Sequence, residues 1–413
     1  MTELNQNTIY FIKLIRQYLY SKGKDCTAPD FASNADFAEV LRIASYNRCD
    51  SYIYHTIWKW VADYGLDAEV LIQYKNNLMY NAFRQIRADA ELKEVITAFN
   101  AAGVEFMLLK GVILANLYPD PVYRSTIDAD IHVSDDYIEK AEEILTGRGY
   151  IKVLNEAVIY ESTYNLDGIL KIDLHTRLFD KFYENNRAAV VASGLESLSN
   201  RRSTRVMGVL AETLSINRFL TYIVCHHTKH FISTGINLRH LIDISVYVNE
   251  YYEQLDWESI LTALDRFGIK EFMLYLLYIC QHYLGMVNLS FLYVDVEEEV
   301  VLMLLHDIVE RTADGESAFL RASAKDIVQN IYNDSKQGNK HRNIASNYFP
   351  SVRSLSAKYR YAIKHPVLLP IAWIHRACSY LWRVISKQRI VSPTERAKIA
   401  KDRVALLERI GIL

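Results

Sequence analysis

The sequence is poor in the residues that make turns. Of its 413 residues, only 15 are glycine and 7 are proline. A fold built mainly of short strands needs a turn after each strand, and these two residues supply most such turns. The scarcity argues against an all-β fold and favours a mostly helical protein. The length is enough for one large core and two or three subdomains.

Cysteine is also scarce and scattered. The five cysteines are Cys26, Cys49, Cys225, Cys280 and Cys378. No two of them have CxxC spacing, so the sequence supports neither a disulfide framework nor a cysteine zinc site. The N-terminus has no basic start followed by an apolar run, as an export signal would. We therefore expect a cytoplasmic protein.

The chain has no large excess of charge of either sign. The 47 basic and 49 acidic residues give a formal net charge of −2. Proteins that grip long nucleic acids usually carry a basic excess, which attracts the phosphate backbone. There is no strong nucleic-acid signal in this composition.

Hydrophobic periodicity divides the chain into four regions. Residues 1–102 show helical spacing, including a long helix over residues 68–102 that ends at Gly103. Residues 103–180 alternate like strands, and 181–350 return to helical spacing, with no strand expected between 209 and about 340. The basic segment 351–413 follows. The predicted fold class is α+β and mostly helical: a small mixed β-sheet core with N-terminal helices and a large C-terminal helical region.

The strand-like region holds four predicted strands. The first is residues 104–109, after which Lys110 and Gly111 form a turn and a short helix begins. Residues 127–133 alternate cleanly, and we expect Ser134 to cap a helix over 135–148. Strands over 157–164 and 170–175 are joined by a turn at residues 166–168.

Three aspartates in these strands suggest a chemistry. Asp128 and Asp130 are two residues apart, so both carboxylates project from one strand face, and Asp173 alternates in the same way on a later strand. Acids on one face are costly unless a cation lies between them, and Mg²⁺ or Mn²⁺ suits carboxylate ligands. Such a triad can hold the two metal ions of phosphoryl or nucleotidyl transfer, and the third acid can also deprotonate the attacking hydroxyl. The alternative is a solvated strand face with no chemistry.

At this point the motifs carry a resemblance. The blocks LLKG, LYPDP, a following arginine, DAD and then KIDLH resemble an uncharacterised bacterial nucleotidyltransferase family of the DNA polymerase β-like nucleotidyltransferase superfamily. The resemblance extends over about residues 30–260. It implies that Asp128 and Asp130 are metal ligands and that Asp173 is the third acid. Lys110 and Gly111 would lie where the superfamily binds the nucleotide triphosphate.

The same resemblance includes residues farther along the chain. A downstream helix carrying His230, Arg239 and Asp243 matches the family pattern, and so does His175 in KIDLH. We expect His230 to face the nucleotide, and His175, Arg239 and Asp243 to support the site. His226 and His230 are also one helical turn apart, a spacing that zinc sites use, although no third ligand is evident nearby.

The phosphate turn departs from the broader superfamily. That superfamily has Gly-Ser here, whereas Val112 follows Gly111 in this chain. Lys110 or Arg124 could supply the missing phosphate contact. The guanidinium of Arg124 could do so through two parallel hydrogen bonds. The alternative for Arg124 is an ion pair with the nearby acids.

The C-terminal segment has a different character. Residues 352–394 contain eight Lys or Arg and no Asp or Glu, and PVLLPIAWIHRACSYLWRVI within it is too interrupted to span a membrane. A basic amphipathic helix could lie on an anionic membrane surface or bind an acidic partner. The alternative is a helix packed on the body with a solvated basic face. A closing helix is expected over 393–410, starting at Ser392.

The sequence thus predicts a metal-dependent nucleotidyltransferase. It would move an NMP from an NTP to a hydroxyl acceptor that the sequence does not identify: a small molecule, a sugar, a protein side chain or an RNA end. Mg²⁺ or Mn²⁺ is the expected cofactor. The alternative is a non-catalytic nucleotide-binding or regulatory protein on the same fold. Under both hypotheses we expect a cytoplasmic protein. A peripheral location at the inner face of the membrane is the alternative.

Overall fold

The computed structural model describes residues 3–21, 26–124, 126, 128–153, 161–179, 190, 194, 201–292, 296–310, 315–336, 352, 355, 357–385 and 391–413. Its α-helices are α1 (Gln6–Ser21), α2 (Phe37–Tyr46), α3 (Asp50–Ile57), α4 (Ala68–Ala102), α5 (Gly111–Ala115), α6 (Ile138–Gly147), α7 (Ile216–Ser233), α8 (Leu238–Tyr251), α9 (Trp257–Arg266), α10 (Lys270–Tyr283), α11 (Glu298–Leu305), α12 (Gly315–Lys336), α13 (Arg360–Lys364), α14 (Leu369–Ile385) and α15 (Pro393–Arg409). Its strands are β1 (Phe106–Leu108), β2 (Asp128–Val133), β3 (Ile151–Val153), β4 (Glu161–Leu166), β5 (Leu170–His175), β6 (Arg201–Val206) and β7 (Val209–Leu214).

The central sheet has five strands in the order β1-β2-β5-β4-β3. Strands β2 and β5 run parallel, and the other neighbouring pairs are antiparallel. Strands β6 and β7 form a separate antiparallel hairpin. This small mixed sheet among many helices confirms the predicted α+β, mostly helical fold class.

The long helix α4 has the bounds that its hydrophobic pattern predicts. The Asp67 side chain accepts a hydrogen bond from the Glu69 backbone N–H (2.8 Å) at its start, and Gly103 ends it in the left-handed conformation (φ 66°). Its C-terminal half is buried on one side, where Phe99 meets Phe106 of β1 at a ring-centroid distance of 5.4 Å. Helix α4 therefore packs against the first strand of the sheet.

The hairpin β6–β7 contradicts the expectation that no strand occurs beyond residue 209. Its turn is Met207-Gly208, and both residues have positive φ (51° and 81°). Asn or Asp normally precedes glycine in such turns, so a methionine there hides the turn signal. A hydrogen bond from the Thr213 hydroxyl to the Leu108 carbonyl (2.7 Å) joins β7 to β1. This contact between distant segments has no local signature.

Several local predictions need correction. Strand β3 was not expected, and Ser134 makes no side-chain cap: a short 3₁₀ turn, Asp135–Tyr137, precedes α6. The predicted strand over 157–164 is observed from Glu161, and residues 157–160 and 127 lie outside the described residues. The turn between β4 and β5 is confirmed, with Asp167 and Gly168 at positive φ.

One hydrophobic cluster of buried residues runs from α1, through the sheet, to α15. The division into four regions with the predicted boundaries stays a prediction. Ser392 caps α15 as expected, since its hydroxyl accepts a hydrogen bond from the Glu395 N–H (3.2 Å). Among the described residues, no helix is both long and apolar enough to cross a membrane.

We expect Gly103→Ala to lower the free energy of unfolding by about 1 kcal/mol, because a Cβ disfavours the left-handed conformation. The matched control is Gly147→Ala at the end of α6. A Cβ added at either glycine would have no described atom within 4 Å, but only Gly103 has positive φ. Urea denaturation of both variants tests this, and equal stabilities would contradict the role of the cap.

Candidate active site

The parallel pairing of β2 with β5 brings the predicted acids together. In this register Asp130 lies opposite Asp173, and Asp128 lies opposite Lys171. Directly paired residues of neighbouring strands point to the same face of a sheet. The three aspartates therefore share one face, as their alternation predicts.

That face forms one wall of a cavity of about 490 Å³. All ten residues proposed from the sequence line it: Lys110, Gly111, Arg124, Asp128, Asp130, Asp173, His175, His230, Arg239 and Asp243. The opposite wall is helical and comes mainly from α7 and α8. The strand face and the helical wall thus enclose one cavity. The individual roles of these residues stay predictions.

Asp130 lies between two nitrogen groups. Its Oδ1 accepts a hydrogen bond from Lys110 Nζ (2.6 Å) and lies 2.8 Å from His175 Nε2. Burial alone would raise the pKa of Asp130, but the charge of Lys110 and the contact with His175 hold that pKa well below its usual range. The pKa of Lys110 is raised in turn, because attraction to Asp130 outweighs burial. Both side chains are charged at neutral pH.

The other two acids have different surroundings. Asp173 is 7% exposed, and its two oxygens accept hydrogen bonds from the Thr163 hydroxyl (2.7 Å) and Lys171 Nζ (2.6 Å). Asp128 is exposed, and its Oδ1 accepts a hydrogen bond from the Thr126 hydroxyl (2.8 Å). Of the three carboxylates, Asp128 is thus the one most open to solvent.

The donor set agrees in chemistry with a hard divalent cation, since it consists of carboxylate oxygens on one face. The side chains are not gathered around a point: within the described residues, no group of three or more His, Cys, Asp or Glu is arranged to hold a metal ion. Asp130 and Asp173 are each bonded to a lysine instead. A metal ion would have to compete with these two ammonium groups.

The Lys110-Gly111 turn is conformationally restrained. Lys110 has φ 50° and ψ −124°, a combination that costs a non-glycine residue about 1–3 kcal/mol. At Gly111, a Cβ would come within 3.1 Å of the Thr126 hydroxyl and 3.3 Å of Arg124 Nη1. Val112 is buried in the core, so the position after Gly111 packs inward and offers no hydroxyl to the cavity.

Arg124 is paired with Asp243 of α8 and not with the strand acids. Its Nε and Nη2 donate to the two carboxylate oxygens of Asp243, each at 2.9 Å, and the Tyr118 hydroxyl donates to the same carboxylate at 2.6 Å. Arg124 is 4% exposed. Its Nη1 has no hydrogen-bond partner within the described part of the chain. Within the described residues, this buried and fixed cation at the cavity wall thus has one nitrogen, Nη1, whose hydrogen-bonding capacity is not used.

A row of rings from α7 faces the strand acids. Tyr222, His226 and His230 recur every four residues, and Nε2 of His226 lies 3.0 Å from Nε2 of His230. Burial, with nearby positive charges such as Lys110 adding to it, lowers the pKa of His226 well below its ordinary value. Burial likewise lowers the pKa of His230 to about 4. The two histidines are neutral at pH 7, and the zinc alternative has no third ligand in the described residues.

Some residues that contribute to the site are not identified by the sequence motifs. Lys171 shares its alternating face with Asp173, so its pairing could have been inferred from the pattern. Tyr118 lies in the LYPDP block, but nothing local shows that it reaches Asp243, and Thr163 reaches Asp173 only through strand pairing. Buried Gln85 of α4 accepts a hydrogen bond from the Thr126 N–H (2.6 Å) and so fixes the loop before β2.

Comparison with known proteins supports the resemblance that the sequence motifs suggest. A family described as "Uncharacterised nucleotidyltransferase" matches residues 33–285, a range that includes all ten cavity residues named above. This confirms the resemblance to a nucleotidyltransferase family. No curated protein matches the chain.

One solved structure is similar in part: that of an antigenic nucleotidyltransferase-like protein from Paracoccidioides brasiliensis. The two sequences are 13% identical, and the similarity covers 50% of this chain and 96% of the other, with a TM-score of 0.32. A likeness this distant carries no argument about the site.

We expect Asp243→Asn to lower the free energy of unfolding by about 3–5 kcal/mol, because it leaves the buried charge of Arg124 without its counter-charge. The double variant Arg124→Met with Asp243→Leu should recover at least half of that loss, since it removes both charges. Chemical denaturation at pH 7 measures both. A loss of less than about 1 kcal/mol in Asp243→Asn would show that the pair does not hold the two walls together.

The histidines predict a pH dependence. Between the unfolded pKa of His230, 6.5, and its folded pKa, about 4, the unfolded chain binds a proton that the folded chain does not. The free energy of unfolding should therefore fall as the pH falls through this range, and His230 should account for at most about 2 kcal/mol of that fall at pH 5.

The variant His230→Gln should show a shallower decline between pH 7 and pH 5 in chemical denaturation. His365→Gln serves as the control, because His365 is an exposed histidine away from the cavity. If the two variants and the wild type decline in parallel, His230 does not contribute to the pH dependence.

Proposed function

The chain belongs to the family of uncharacterised nucleotidyltransferases, and we propose that it is a metal-dependent enzyme that transfers an NMP from an NTP to a hydroxyl acceptor. The observation that carries this proposal is the pairing of β2 with β5. It places Asp130 opposite Asp173 on the face that also holds Asp128, inside a cavity that contains buried cations. Carboxylates next to fixed cations suit a substrate that brings both a divalent metal and phosphates.

The nucleotide phosphates would bind between the strand face and the helical wall. Arg124 supports this location, because Asp243 holds its guanidinium rigidly at the cavity wall and Nη1 has no hydrogen-bond partner among the described residues. Lys110 adds an ammonium group, and glycine at position 111 leaves the guanidinium room to approach the turn. These contacts would replace the hydroxyl that Val112 lacks. His230, neutral at pH 7, would face the nucleotide from α7.

The transfer step needs a base. The acceptor oxygen would form a bond to the α-phosphorus as its proton passes to a carboxylate, and the bond between the α-phosphorus and the oxygen bridging to the β-phosphate would break, releasing pyrophosphate. We assign the base to Asp173, which is buried and held by Thr163 and Lys171. Mg²⁺ or Mn²⁺ held by Asp128, Asp130 and Asp173 would neutralise phosphate charge and polarise the α-phosphate.

A second candidate is a non-catalytic nucleotide-binding or regulatory protein on the same fold. Two observations favour it. Val112 is buried where the broader superfamily has serine, and the carboxylates of Asp130 and Asp173 are bonded to lysines. Such a protein would bind nucleotides at Lys110, Gly111 and Arg124 without turnover. Thermal stabilisation by a nucleotide with no pyrophosphate release from any NTP would identify this candidate.

For the enzyme, we expect the double variant Asp128→Asn with Asp130→Asn to lose pyrophosphate release from its NTP by at least about a thousandfold, because two metal-binding charges are removed. The measurement is pyrophosphate release from each of the four NTPs with Mg²⁺ or Mn²⁺. A thermal-shift assay with the same nucleotides follows binding separately.

The matched control is Asp135→Asn with Asp136→Asn, which neutralises two exposed acids just beyond β2 that are not among the cavity residues. This control should keep full activity. Unchanged pyrophosphate release in the Asp128/Asp130 variant would overturn the assignment of the site. If no NTP stabilises the wild-type protein, both candidate functions are wrong.

A further inference from the structure

The segment before the last helix forms a small unit of its own. Leu355, Tyr359, Ala362 and Ala372 make a hydrophobic cluster that is separate from the main core. Helices α13 and α14 and the turn between them, Pro366–Leu368, pack around this cluster. The inward-facing side chains of these helices are therefore already buried by contacts within the unit.

This unit exposes several large aliphatic side chains. We call Ile363, Val367, Ile371 and Ile374 the C-terminal ridge; they are 39%, 90%, 54% and 63% exposed. Ile371 and Ile374 are three residues apart and so share one face of α14, while Ala372 between them is fully buried. Large aliphatic side chains this exposed are costly in water, and their concentration within residues 363–374 favours a contact site.

The surroundings of the ridge are positively charged. Lys358, Arg360 and Lys364 are exposed on and next to α13. Residues 352–394 contain no Asp or Glu. A basic zone next to exposed aliphatic side chains is the pattern of helices that lie in the interface of an anionic bilayer.

The positive charge also distinguishes between two possible binding partners of the C-terminal ridge. A second copy of the chain would bring two basic zones together, and like charges repel. An anionic lipid surface complements both features, because its headgroups attract the lysines and its acyl boundary accepts the aliphatic side chains. No helix among the described residues could cross the bilayer, so the contact would lie in the plane of the surface.

We propose that the C-terminal ridge and its basic surroundings bind the surface of an anionic membrane. The ridge residues insert at the acyl boundary, and Lys358, Arg360 and Lys364 meet the phosphate headgroups. This contact is independent of the cavity chemistry and would hold the protein near acceptors that are carried at a membrane.

Co-sedimentation of the full chain with vesicles tests the proposal. We expect pelleting with vesicles that contain phosphatidylglycerol, weaker pelleting with phosphatidylcholine alone, and release by high salt, which screens the lysines. The variant Ile371→Ser with Ile374→Ser should lower the vesicle partition coefficient at least about tenfold, because it removes two inserting side chains. Lys358→Gln with Lys364→Gln should lower it similarly, but only at low salt.

The matched control is Ile72→Ser with Ile86→Ser on α4. These two side chains are as exposed as the ridge, at 57% and 59%, but they lie far from it in sequence, outside the basic segment. The control should pellet like wild type, and circular dichroism should show that all variants are folded.

Three results would overturn the proposal. They are failure of the wild type to pellet with anionic vesicles, equal pelleting with neutral and anionic vesicles, and equal loss in the α4 control. Binding to immobilised polyglutamate without binding to vesicles would instead identify an acidic polypeptide as the partner. Pyrophosphate release should be unchanged in the ridge variants, so this test and that of the active site fail independently.

Discussion

The buried ion pair between Arg124 and Asp243 connects the two walls of the cavity. Arg124 enters from the loop before β2, and Asp243 comes from α8, so their two hydrogen bonds hold the strand face against the helical wall. A guanidinium that is 4% exposed is tolerable only with such a partner. Asp243 in turn needs Arg124 and Tyr118 to remain ionised in the interior. The separation of the two cavity walls therefore depends on the charge balance between Arg124 and Asp243.

The same requirement organises the acid face. Lys110 balances Asp130, and Lys171 balances Asp173, while Asp128 stays open to solvent. Under the proposed function, Asp130 and Asp173 would hold the metal, and Lys110 and Lys171 would lie near the phosphates. The two ion pairs explain how carboxylates and ammonium groups can share one cavity.

The cavity and the C-terminal ridge are separate features with separate physical causes. The cavity depends on buried charges within the main core, whereas the ridge belongs to a small cluster with its own packing. Changes to one should leave the other intact. The chain would thus combine a chemical site with a surface that determines where that site works.

Much of the acid face is determined by the sequence itself, because strand alternation is a local property. The pattern around Asp128, Asp130 and Asp173 predicted their common face, and the bounds of α4 followed from its periodicity and its glycine cap. Other features were decided only by tertiary structure. The partner of Arg124, the reach of Tyr118 to Asp243 and the contact of Thr213 with Leu108 depend on segments far apart in the chain. Hydrogen bonds and ion pairs between such segments leave no periodic trace, so only the folded chain specifies them.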